Sequence, residues 1–225
     1  MLVTSTVHEV AEALLPLADC RREIQCKKYT GGDFEFLGIT KPCRRKATEN
    51  LVRRRYASHD LISAAYALWD FPHREYQYVA LDLLDTHSGK LSLDHVEEIL
   101  LLSQKSPWWD TVDEMARIVG DILRVERRTN PEAQQVMDRA VEHHNMWVRR
   151  LAMLHQLGWR GQTDVDRLFA YAIKLACEAE PFIQKAIGRA LRNYAKHDPA
   201  AVRDFLSASG SAFSLQTMRE ATKYF

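Results

Sequence analysis

From about residue 59 onward, apolar residues recur at spacings of three and four in almost every window, the period of an amphipathic helix. LISAAYALWDF, REYQYVALDLLD, WWDTVDEMARIVGDIL, MWVRRLAMLHQLGW, VDRLFAYAIKLACE and FIQKAIGRALRNYAKH all carry this pattern. Polar breaks separate them, and several breaks end in helix-start punctuation. Ser106-Pro107 and Asn130-Pro131 read as an N-cap followed by proline at the first helical position, and Glu180-Pro181 resembles them. Strand-like alternation is confined to DFEFLGI at 33–39. The pattern predicts an all-α chain of about a dozen helices.

The predicted helices repeat. Pro72, Pro107, Asn145 and Pro181 each mark a helix opening, at spacings of 35, 38 and 36 residues. Within one to four positions of each opening stands an aromatic that begins an apolar stripe: Tyr76, Trp109, Trp147 and Phe182. Hairpins of this length cannot bury their own apolar face, so they stack on their neighbours. The expectation is one domain over residues 1–225, a HEAT-like α-solenoid of antiparallel helical hairpins with a concave basic face.

Composition narrows the setting. No run of about eighteen apolar residues occurs, so no membrane span is expected. The first twenty residues space Val7, Val10, Ala11, Leu14 and Ala18 as an amphipathic helix and lack the basic start of a signal peptide. Cys20, Cys26, Cys43 and Cys177 lie at gaps of 6, 17 and 134, which match no zinc or redox spacing and read as free thiols in a reducing compartment. These features predict a cytoplasmic chain.

The formal net charge of +1 argues against nucleic acid until it is divided along the chain. Residues 21–55 carry eleven basic residues against four acidic, and residues 145–196 carry nine against four. The two stretches stand at +7 and +5, and the remainder at −11. Two basic segments lining one wall would make a positive track for a phosphodiester backbone.

The stretch Ser106-Pro107-Trp108-Trp109-Asp110-Thr111-Val112-Asp113 carries the candidate chemistry. On a helix, Trp109 and Asp113 are one turn apart and share a face. A π-surface beside a carboxylate suits a cationic ligand, through the ring quadrupole and Coulomb attraction.

This stretch resembles the active-site helix of the AlkD-type DNA alkylation-repair glycosylases, which are built from HEAT-like repeats. Other segments match the same family in order. They are Phe34-x-Phe36-Leu37-Gly38-Ile39 with Pro42, and Leu68-Trp69-Asp70-Phe71-Pro72-x-Arg74-Glu75-Tyr76-Gln77 with Ala80-Leu81-Asp82. Asn145-x-Trp147-x-x-Arg150 follows, and then Phe182 to Gly188 with Leu191-Arg192-x-Tyr194-Ala195-Lys196. The resemblance runs from about residue 24 to residue 222.

The resemblance implies a base-excision repair enzyme that hydrolyses the N-glycosidic bond of cationic N3- and N7-alkylated purines in duplex DNA without base flipping. It implies a monomer that is nucleoid-associated when bound to DNA, with no metal and no cofactor. Asp113 is implied as the carboxylate that stabilises the sugar cation and places water, and Trp109 as the contact to sugar and backbone. Arg150 is implied as the phosphate anchor, and Tyr29 as an aromatic near the lesion. Arg44 and Arg45 of the first basic segment, with Arg149, Lys185 and Arg189 of the second, are the further expected DNA contacts. Arg189 departs from the family, which carries a tryptophan there; an arginine at that place either grips a phosphate or repels a cationic base. Two alternatives therefore stand beside the glycosylase: a non-catalytic or attenuated DNA-structure-binding paralogue, and a HEAT scaffold for an acidic protein.

Two other motifs carry no function here. Gly31-Gly32-Asp33-Phe34 spells a diguanylate cyclase signature but lacks the α/β domain that motif requires. His143-His144 lacks a further ligand at metal-binding spacing.

Overall fold

A computed structural model describes residues 2–223. Those residues form thirteen α-helices and no strand, so the chain is all-α as its periodicity predicts. The segment at 33–39 is extended but unpaired, apart from one parallel bridge between Glu35 and His73. The helices fall into two compact units, residues 1–111 and 112–225.

The first unit holds α1 (Leu2–Leu14), α2 (Cys20–Thr30), α3 (Lys41–Val52), α4 (Ser58–Trp69), α5 (Arg74–Thr86) and α6 (Leu93–Leu102), and then the start of α7 (Trp109–Glu126). Helix α4 packs on α5, and α1 lies against both α3 and α4. Helices two apart in sequence also meet, α3 with α5 and α4 with α6, which is the contact pattern of stacked hairpins. Leu61, Ala64, Ala65, Leu68, Val79, Ala80, Leu84, Val96 and Ile99 fill this core with at most 1% exposure.

The second unit takes the rest of α7 and adds α8 (Gln135–Ala140), α9 (Met146–Leu154), α10 (Val165–Lys174), α11 (Pro181–Ala195), α12 (Pro199–Ser209) and α13 (Leu215–Ala221). Helices α9, α11 and α13 pack in succession. The close approach of α7 to the end of α9 requires glycine at 120, because a Cβ there would stand 1.9 Å from the His155 carbonyl oxygen.

The repeat survives with corrected boundaries. Helices α5, α7, α9 and α11 open at Arg74, Trp109, Met146 and Pro181, which are 35, 37 and 35 residues apart. Glu180-Pro181 and Asn130-Pro131 start helical turns as expected, each with its cap side chain accepting a backbone N–H. Pro72 and Pro107 do not. His73 caps α5 in an extended conformation, and the Arg74 amide donates to the Glu35 carbonyl. Ser106 takes a φ of 45°, and α7 begins only at Trp109. Tertiary bonds override the local signal there: the Ser106 carbonyl accepts from the Arg74 guanidinium at 2.8 Å, and the Trp108 indole donates to the Thr30 carbonyl at 2.8 Å.

Candidate active site

The sequence elements that flank the site are scaffolding. Glu75, 1% exposed, accepts the backbone amides of Leu37, Gly38 and Ile39 at 2.9, 2.9 and 3.1 Å. Its carboxylate thereby replaces the strand partner that the extended 33–39 segment lacks. Gly38 sits at φ 77° with the Asp19 carbonyl 2.2 Å from where a Cβ would be, so only glycine fits.

Arg74 does the same for the start of α7. Its side chain is completely buried, with Phe34 stacked 4.2 Å from the guanidinium carbon. It donates to Asp110 at 2.6 Å, to the Thr111 hydroxyl at 2.9 Å, to the Ser106 carbonyl and to Gln77. Asp110 also accepts from the Tyr78 hydroxyl. Burial, with the Asp110 charge beside it, pushes that hydroxyl well above the usual tyrosine range.

These bonds separate the two tryptophans. Trp108 precedes the helix, packs edge-on against Phe34 at 5.9 Å and serves the scaffold. Trp109, the first residue of α7, is half-buried, with Tyr29 edge-on to it at 6.1 Å. Tyr29 itself is 78% exposed. Sequence reasoning missed Trp108's separate duty because its hydrogen-bond partner lies 78 residues away.

Asp113 follows one turn along α7, and within the second unit it is the centre of an ion cluster. Its carboxylate is 9% exposed and accepts the Arg150 Nε and Nη2 at 2.8 and 3.0 Å, a fork-on-fork pair. The remaining nitrogen of Arg150 donates to the Phe182 carbonyl on α11, so each of its three nitrogens is bonded. Arg189, also on α11, donates through Nη1 to the same Asp113 carboxylate, yet 43% of its side chain stays exposed. The cluster therefore carries two guanidinium charges on one carboxylate.

The other expected contacts divide by their surroundings. Arg44, which is buried, and Arg45 both pair with Asp82 on α5. Arg149 grips Glu178 with two bonds of 2.7 Å and donates to the backbone carbonyls of His143 and His144. Lys185 is exposed and makes no ion pair among the described residues; with Arg219 it lines a groove of about 650 Å³ along α11 and α13.

The segment charge is smaller in space than in sequence. Acids from outside the first basic stretch neutralise Arg22, Arg44, Arg45 and Arg54, through Asp19, Asp82 and Glu9. Outside acids likewise engage Arg150, Arg167, Lys174, Arg189 and Arg192 of the second. Among the described residues, Arg21, Lys28, Lys41, Lys46 and Arg55 of the first stretch remain exposed and without an ion pair, as do Arg160 and Lys185 of the second.

No group of three or more potential metal ligands occurs among the described residues, and no helix there is long and apolar enough to cross a membrane. Comparison with known proteins bears on the family and the fold. The family described as DNA alkylation repair enzyme matches residues 10–225. A solved structure described as "Predicted DNA alkylation repair enzyme from Enterococcus faecalis" superposes with a TM-score of 0.86 at 28% identity, covering 92% of this chain and 96% of that one. No curated protein matches.

Proposed function

The chain belongs to the DNA alkylation repair enzyme family, and from that premise we propose that it is a DNA N-glycosylase releasing cationic N3- and N7-alkylated purines from duplex DNA. The observation that carries this reading is the near-buried Asp113 carboxylate one helical turn from the half-buried Trp109. An alkylated purine is already positively charged, so its bond to the sugar breaks with the electron pair passing to the base nitrogen and without prior protonation. What the enzyme supplies is stabilisation of the cationic sugar and a positioned water. Asp113 offers the negative charge in a site that excludes bulk solvent, where Coulomb attraction is stronger than in water. Water then adds to C1′ and gives up its proton, leaving an abasic site and a neutral base. Trp109, with Tyr29 at its edge, offers a ring face for the sugar and backbone of the lesion. The resemblance to the AlkD-type family implies release without base flipping, so no base-flipping pocket enters the reading.

The test is release of 7-methylguanine from methylated duplex DNA. Asp113→Asn lowers the release rate by tenfold or more and leaves duplex binding within about threefold. Equal release by variant and parent removes Asp113 from this role.

A second reading has its own observation. Arg189 occupies the Asp113 carboxylate, which favours a DNA-binding member of the family with attenuated or absent base release. Release by Arg189→Trp but not by the parent selects this second reading.

A further inference from the structure

The two arginines on Asp113 are not equivalent. Every arm of Arg150 is spent inside the protein: two on the carboxylate, one on the Phe182 carbonyl, with 6% of the side chain exposed. Arg189 spends a single nitrogen on Asp113, and 43% of its side chain is exposed. Arg150 has all three nitrogens bonded inside the protein and is nearly buried, so swinging it to a ligand would break a buried ion pair, which is costly. Arg189 gives up one bond, and with 43% of its own side chain exposed it loses less hydration in either position than Arg150 would.

The surroundings of Arg189 favour an anion. Lys185 lies one turn earlier on the same face of α11, exposed and without an ion pair among the described residues; with Arg219 it lines a groove whose one carboxylate, Glu220, is paired with Arg192. The cluster around Asp113 adds an excess positive charge to this face.

Resting on the reading that DNA is the ligand, we propose that Arg189 is a phosphodiester-responsive latch. Without DNA it neutralises Asp113; when a backbone phosphate docks at Arg189 and Lys185, its guanidinium exchanges the carboxylate for the phosphate. Arg150 stays behind and keeps the carboxylate oriented. A positive charge thus leaves the neighbourhood of Asp113 only when DNA is in place, and the carboxylate is then free to face a cationic sugar. Arg150 becomes a positioning residue, and phosphate binding passes to Arg189.

The experiment is binding of an undamaged duplex oligonucleotide followed by fluorescence anisotropy across a sodium chloride series, with single-turnover 7-methylguanine release measured at saturating protein. Arg189→Gln is expected to flatten the slope of log K against log salt by about 0.9, the contribution of one phosphate. Arg150→Gln keeps the parent salt slope while losing thermal stability.

An unchanged slope in Arg189→Gln overturns the proposal, as does loss of slope in Arg150→Gln instead. A tenfold or greater rise in saturated release for Arg189→Gln also overturns it, since Arg189 would then have remained on Asp113 in the complex. Absence of duplex binding by the parent at low salt overturns it together with the DNA reading. If neither protein releases base, the glycosylase reading fails and the salt slope still decides the latch.

Discussion

Replacing Arg74 by methionine tests whether the site depends on a buried cation that touches none of the proposed chemistry. Methionine keeps most of the volume and removes the guanidinium. Asp110 then keeps only the Tyr78 hydroxyl and the Thr111 amide as partners, at 13% exposure. Breaking a buried ion pair by removing one partner costs about 3–5 kcal/mol. Loss of the stacking on Phe34, 4.2 Å away, adds about 0.5–2 kcal/mol. The favourable place of Asp110 in the first turn of α7 is common to parent and variant and leaves the difference unchanged. The balance is about 4 kcal/mol, or a fall in Tm of roughly 10 °C for a chain of this size. Circular dichroism melts and urea titrations measure it. The double variant Arg74→Met/Asp110→Asn removes the stranded charge and is expected to recover about 1–2 kcal/mol of the loss. A single-variant loss below about 1 kcal/mol, or no recovery in the double, refutes the account of Arg74 as the counter-charge that sets the start of α7.

Three further outcomes follow from the geometry. His155 is fully buried, donates from Nδ1 to the Ala152 carbonyl at 2.6 Å and has no partner at Nε2 among the described residues, and burial holds its pKa at about 4 against the ordinary 6.5. The unfolded chain therefore binds a proton below pH 6.5 that the folded chain refuses until about 4. Stability is full above 6.5 and falls by about 3 kcal/mol as pH drops to 4; the difference between parent and His155→Phe in urea midpoints across that window isolates the loss, and a flat difference contradicts it. Glu75→Ala strips three buried amides of their acceptor and is expected to cost about 3 kcal/mol, with hydrogen exchange at Leu37, Gly38 and Ile39 accelerating together. Gly38→Ala places a methyl against the Asp19 carbonyl at a positive φ, and its loss of about 2 kcal/mol or more shows as a lower urea midpoint.

The helices and their repeat were legible because burial acts through period, and period is local. The helix starts at Pro72 and Pro107 were misplaced because their boundaries are set by Glu35, Arg74 and Thr30, residues remote in sequence. The pair Trp109 and Asp113 could be placed on one face from spacing alone. The state of Asp113 could not, since its partners Arg150 and Arg189 lie 37 and 76 residues away. The segment charges erred for the same reason: Asp82, Glu9 and Glu220 neutralise basic residues from outside the counted windows.

The spacing of the ion pairs bears on how the chain folds. Arg44–Asp82, Arg74–Asp110, Lys105–Asp70 and Arg150–Asp113 join residues 38, 36, 35 and 37 apart, one repeat in every case. Each closure then carries nearly the same entropy, and each unit can zip from any of its own hairpins to the next. Arg189 to Asp113 spans 76 residues, and doubling a loop adds about 0.6 kcal/mol to its closure. Once Arg150 has reached Asp113, the distance left to Arg189 is again a single repeat. The residue that covers the carboxylate thus reaches it at the entropy of one repeat once Arg150 is in place, and as the more exposed partner it is the first free to leave.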